Sequence, residues 1–238
     1  MAVAAETPPA ETSEDLPSEV VVEEAVTLEP PTFTENEGQA ADVSTEAKSE
    51  ELSQEAKDAA TLNRIEESLN AIQSLKTDFI QRAPDGSVAE GVLYLERPGK
   101  IRFDFGDAAP FLVVSDGSLL TFVDYDVKQV SRWPIRKTPL GILVDDEITF
   151  DSSVEVPDII RFAGLVKVPV IDPKRQEYGY IILIFEESTM ELRAWEVVDA
   201  QGYTTRVALL NPEYNIDIDK KKFKFKDPRP SRRGPRGR

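Results

Sequence analysis

Apolar and polar residues alternate along Gly91–Phe105, GVLYLERPGKIRFDF, in two short runs joined by Arg97-Pro98-Gly99-Lys100. Side chains two apart on a strand share a face, so Leu93, Leu95, Ile101, Phe103 and Phe105 line one side of an antiparallel hairpin. Further alternating runs cover Phe111–Ser115, Leu119–Tyr125 and Val127–Arg132, then Ala163–Val170, Tyr178–Glu186, Glu191–Val198 and Thr204–Leu210. The gaps are short and carry turn residues, among them Asp116-Gly117, Asp124 and Asp199-Ala200-Gln201-Gly202. Successive strands are therefore expected to pair as a meander. Phe223 and Phe225, alternating with Lys222, Lys224 and Lys226, predict a last strand.

Helical spacing precedes the strands. Leu62, Ile65, Leu69, Ile72, Leu75 and Phe79 recur at steps of three and four with charged residues between them, which predicts one long helix lying stripe-down on the sheet. Ala83-Pro84-Asp85-Gly86 ends it. In Thr138-Pro139-Leu140-Gly141-Ile142-Leu143-Val144 an N-cap candidate is followed by Pro at the first helical position, so a short second helix is expected there. The sum is an α+β domain with an antiparallel sheet of eight or more strands.

Arg97 shares the parity of Leu93 and Leu95, which aims a cation at the apolar side. Such a placement is costly unless the charge is paired or hydrogen-bonded, and this makes Arg97 the first candidate for a functional role. A surface arginine just past a strand end is the competing reading. Leu93, Leu95, Ile101, Phe103, Phe105, Leu120 and Phe122 fill either a sealed core or the wall of a cavity, and Trp195, on the Val197 face, reads as core packing.

Composition divides the 238 residues unevenly. Residues 1–60 hold sixteen Asp/Glu and two Lys, a net charge of −14, so most of the chain's formal −16 belongs to its front. Residues 1–58, rich in Glu, Ala, Thr, Ser and Pro with Phe33 as their one aromatic, are expected to form a disordered acidic tether. The domain then spans 59–229, followed by a basic tail, 230–238. The last twenty residues carry ten Lys/Arg against two acids. The tail reads as a solubilising segment, with contact to anionic headgroups as the alternative. No stretch approaches the roughly 20 apolar residues that span a bilayer. Ala2-Val3-Ala4 fits the remnant of a trimmed secretory signal behind a start Met, and an Ala-rich cytosolic start fits it too.

The chain has no His and no Cys, which removes Ser-His-Asp and Cys-His catalysis, His- or Cys-ligated metal sites and disulfides. Asp145-Asp146-Glu147, Asp124 with Asp126, and Asp217 with Asp219 do not match an EF-hand loop, and all sit where solvated acids are ordinary. Neither a P-loop nor a dinucleotide fingerprint is present. A non-enzymatic protein without a cofactor is expected.

Phe79-Ile80-Gln81, Gly91–Phe103 with its Arg97-Pro98, Leu112–Gly117 with Ser115-Asp116-Gly117, Thr138–Leu143 and Phe223–Arg229 together resemble the LolA family, periplasmic carriers of outer-membrane lipoproteins in Gram-negative bacteria. The resemblance runs in order over about residues 60–229; the acidic front and basic end are additions to the family pattern, and Asp151–Tyr178 is not placed strand by strand. It implies an incompletely closed antiparallel β-barrel, a half-barrel, whose apolar concave face lies under a helical lid. Acyl chains would sit against Leu93, Leu95, Ile101, Phe103, Phe105, Leu112, Val114, Leu120, Phe122, Ile142 and Leu143. Arg97 would bond to the lid and hold the empty carrier closed. The implied partners are triacylated lipoproteins, an inner-membrane lipoprotein-releasing ABC transporter and an outer-membrane acceptor, with no nucleic acid and a monomeric chain in the periplasm. A regulatory domain that senses lipids or mislocalised lipoproteins, or a protein-interaction domain, on the same half-barrel is the alternative function.

Overall fold

Each of the eleven strands among the described residues pairs antiparallel with a chain neighbour on at least one side, and one long-range pairing, of the first strand with the last, joins the two runs. The computed structural model describes residues 40–106, 109–174 and 176–229, with side chains from Leu52 onward. The strands are β1 (Ser74–Arg82), β2 (Val88–Glu96), β3 (Lys100–Asp104), β4 (Phe111–Asp116), β5 (Leu119–Asp124), β6 (Gln129–Pro134), β7 (Ile160–Phe162), β8 (Leu165–Val170), β9 (Tyr180–Glu186), β10 (Leu192–Val198) and β11 (Thr204–Tyr214). Their order is β6-β5-β4-β3-β2-β1-β11-β10-β9-β8-β7. The sheet does not close: β6 and β7 remain its edges.

Register decides which side chains meet. Directly opposed residues share a face, and Phe122 lies opposite Val113, Val113 opposite Phe103, and Phe103 opposite Leu93. On the other half Val168 opposes Leu183, Leu183 opposes Trp195, and Trp195 opposes Val207. Apart from Phe122, which stacks on Phe111, these rows belong to one apolar cluster on the concave side. Phe79 makes edge-on contacts with Phe103 and Phe105, with centroids 5.4 and 5.2 Å apart, and Phe111 continues the aromatic series against Phe105.

Helix α1 (Ala40–Asn70) covers part of that face with Ile65 and Leu69, both essentially buried. It begins earlier than the periodicity predicts and takes in residues 40–58 of the expected tether; residues 1–39 and the tail 230–238 lie outside the described residues. It also ends earlier. Ile72 falls in the connection, and Leu75 and Phe79 lie in β1. Leu75, Thr77 and Phe79 alternate as well as Leu75 and Phe79 step by four, and β1 is laddered on both sides, by β2 and by β11. Two backbone ladders on a central strand, one of them with a bulge between Lys76 and Asp78, outweigh a weak helical preference.

After β11 the chain crosses the convex side instead of forming the expected final strand. Asp219 accepts from the Lys221 amide at 2.9 Å and caps a 3₁₀ turn, Lys220–Phe223. Arg102 then donates to the carbonyls of Lys222 and Lys224, at 3.0 and 3.3 Å. With those carbonyls engaged by a side chain of β3, the segment lies over the strands and not beside them. Phe223 is buried, and Phe225 packs with Leu112, Val114, Val123 and Val130 in a second, smaller cluster.

Candidate functional site

The 25-residue connection from β6 to β7 passes over the concave face. It carries a 3₁₀ turn, Ile135–Lys137, and the single-turn helix α2 (Gly141–Val144). Ile135, Leu143, Val144, Ile148 and Ile159 are buried beneath it. Thr138 does not cap α2. Its hydroxyl turns back to the Ile135 carbonyl at 2.8 Å and closes the 3₁₀ turn, while Leu140 occupies the N-cap position.

The end of β2, the turn after it and the end of α1 converge on α2 and the segment that follows it. At the end of β2, Arg97 is 8% exposed, and its Nε donates to the Leu143 carbonyl at 3.3 Å. Its Nη1 reaches Asn70 Oδ1 at 3.5 Å. Two residues on, the Gly99 amide donates to the Val144 carbonyl at 2.7 Å. Asn70, the last residue of α1, donates to the Ile148 carbonyl and accepts from the Ile148 amide. One turn earlier Glu66 accepts from the Phe150 amide. Burial disfavours the Arg97 charge and lowers its pKa, an effect that the carboxylates of Asp145 and Asp146 oppose. A guanidinium so placed is held by one lid carbonyl and the Asn70 amide oxygen, with no direct ion pair among the described residues.

The Arg-Pro-Gly and Ser-Asp-Gly motifs are parts of this corner. Ser115 donates its hydroxyl to the Gly99 carbonyl at 2.7 Å, and Gly117 donates to the Ser115 oxygen at 3.3 Å. Gly99 has φ +77°, and a Cβ there would fall 2.4 Å from the Gly117 carbonyl oxygen. Only glycine allows the two turns to stack, which sets the height at which Arg97 meets the lid.

Leu93, Leu95, Ile101, Phe103, Phe105, Leu120 and Leu143 are buried in the concave cluster, and half-buried Ile142 packs against it. Phe122 stacks on Phe111 with centroids 6.0 Å apart. Leu112 and Val114 lie elsewhere, in the convex cluster beneath Phe225. Their strand neighbours Phe111 and Val113 take the concave positions. Both sides of β4 are covered, so both parities are apolar and alternation carries no orientation there. Asn70 and Glu66 escaped the sequence reading because a polar residue at a helix end carries no pattern that separates a clip from a solvated side chain. Between the lid and strands β8 and β9 a cleft of about 220 Å³ opens, lined by Lys137, Pro139, Ile142, Ile148, Val154 and Ile181.

A family model described as outer membrane lipoprotein carrier protein LolA matches residues 70–226. The outer-membrane lipoprotein carrier protein of Methylococcus capsulatus is 27% identical over 175 residues, which cover 70% of this chain and 83% of that protein. Its counterpart in Legionella pneumophila strain Corby is 30% identical over 179 residues, 69% of this chain and 85% of that one. Among solved structures, a LolA superfamily protein from Nitrosomonas europaea aligns with a TM-score of 0.41 at 12% identity, covering 69% of this chain and 98% of that one. With an open antiparallel sheet under a short helical lid, and with the family pattern running from the end of α1 to the convex segment, the chain belongs to the LolA family.

Proposed function

We propose that this protein is a periplasmic carrier that takes the acyl chains of triacylated lipoproteins beneath the α2 lid, receives them from an inner-membrane ABC transporter and passes them to an outer-membrane acceptor. The observation that carries this reading is Arg97, a buried cation that spans from the sheet to the Leu143 carbonyl and ties the α2 segment over an apolar face. A sealed core has no need of a buried polar tie at its margin, since replacing a buried ionic group with apolar side chains is often neutral. A lid that must open and reclose gains from one, because a hydrogen bond to a charged group adds a directional contact that re-forms in a single geometry.

The energetics suit transport. Burying acyl chain contributes about 0.8 kcal/mol per CH₂, so one long chain offers roughly 10 kcal/mol before ordering costs. Reclosing α2 over the empty face recovers part of that burial without cargo, which lowers net affinity and permits hand-off. Hydrogen bonds from Arg97, Gly99 and Asn70 add to the closed state.

Native mass spectrometry of the protein with a triacylated lipopeptide and its deacylated counterpart tests the reading. A 1:1 complex with the acylated form alone supports it. Folded protein that binds neither form overturns it and leaves the concave cluster as sealed core.

A further inference from the structure

Trp195, at the middle of β10, is 1% exposed. Its neighbours across the ladder, Val207 and Leu183, are buried apolar residues, and its ring meets Phe103 of β3 edge-on, with centroids 6.3 Å apart. The indole Nε1 is buried and has no hydrogen-bond partner among the described residues. This is unusual. A buried donor left unpaired forfeits its hydration, and buried tryptophans ordinarily place the N–H where an acceptor waits. Phenylalanine would pack here without that penalty.

The face around the indole supplies hydrocarbon, and no described protein atom accepts from Nε1, which leaves the position open to an acceptor carried by a ligand. A plain alkyl chain has none. A fatty acyl group has one strong acceptor, the carbonyl oxygen at its head, carried either in an ester or in an amide. We infer that the Trp195 indole N–H is the polar contact for an acyl carbonyl of the cargo, and that it makes the concave face prefer acylated over purely alkyl lipids. This rests on the carrier reading above.

The chain has two tryptophans, and the other, Trp133, is 44% exposed. The indole region of a ¹⁵N–¹H spectrum of the full chain therefore holds two signals, and Trp133→Phe assigns them. Four lipopeptides are titrated: the triacylated form, one with ethers in place of its two glyceryl esters, one without the N-acyl group, and one with no acyl carbonyl. The Trp195 indole proton is expected to move downfield and exchange more slowly with the triacylated form, and to stay in place with the carbonyl-free form. Whichever of the two intermediate forms keeps the shift identifies ester or amide as the source. Trp195→Phe is expected to weaken binding of the triacylated form about fivefold while leaving the carbonyl-free form unchanged. An indole signal that stays in place when the triacylated form binds, or moves equally with the carbonyl-free form, overturns the inference but not the carrier. Failure of every lipopeptide to bind overturns both.

Discussion

Asn70 grips Ile148 from both sides: its carboxamide donates to the Ile148 carbonyl and its oxygen accepts from the Ile148 amide, each at 2.8 Å. The same oxygen lies 3.5 Å from Arg97 Nη1. One side chain thus joins the end of α1, the end of β2 and the lid. Asn70→Ala is expected to speed hydrogen exchange at the Ile148 amide and to lower stability by about 1–3 kcal/mol, because the backbone groups of buried Ile148 lose their partner. Unchanged exchange at Ile148 would mean that apolar contacts alone hold the lid.

Arg97→Leu keeps apolar bulk at the corner and removes both donors to Leu143 and Asn70. Little change in overall stability is expected, since the variant also relieves the desolvation that burdens the charge. The empty protein should bind an apolar fluorescent dye more strongly, with its far-ultraviolet circular dichroism retained. A stably folded variant whose dye signal matches the parent would remove the latch from the mechanism.

Gly99 and Gly86 both adopt positive φ, +77° and +84°, but a Cβ at Gly86 meets nothing within 4 Å. Gly86→Ala carries only the left-handed backbone strain, about 1–2 kcal/mol. Gly99→Ala adds a collision with the Gly117 carbonyl, so its denaturant midpoint should fall well below that of Gly86→Ala. Equal midpoints would show that the two turns can separate without loss.

Asp227 is held well below the ordinary aspartate value of 3.8, to about 2, chiefly by hydrogen bonds from the Arg229 side chain and amide, with Arg132 a weaker contributor. A carboxyl whose folded pKa is depressed contributes stability that is present above its unfolded pKa and is lost as pH falls through the folded one. The convex segment should therefore weaken between about pH 4 and pH 2. A ¹³C titration of the Asp227 carboxyl should find its midpoint near 2 and move it upward in Arg229→Gln. A midpoint indifferent to Arg229 would contradict this pairing.

Much of the sheet is legible in alternation because most strands have one wet and one dry side. Leu93, Leu95, Ile101 and Phe103 fall where parity puts them. Legibility fails where a second layer is present. β4 is apolar on both sides because the segment carrying Phe225 covers its back, so the choice between Leu112 and Phe111 is not written in the strand itself. It fails again where two periods coincide. Leu69, Ile72, Leu75 and Phe79 fit a helix, but Leu75, Thr77 and Phe79 also fit a strand, and no Gly or Pro marks the break after Asn70. Phe223 and Phe225 do face the fold as their alternation implies, but alternation reports orientation, not hydrogen-bond partners. The lid corner is the least legible part. Its ties to Leu143, Val144 and Ile148 run to backbone atoms, which every residue type presents alike.

The connection that carries α2 starts at one edge strand, β6, and ends at the other, β7. It therefore has no free end. A flap anchored on one side swings; a strip fastened to both rims of an open trough rises in the middle like a bow. Spreading the rims would pull this strip taut against the opening, and drawing them together would let it slacken inward. The width of the trough and the height of its cover are in this way linked through one covalent strip.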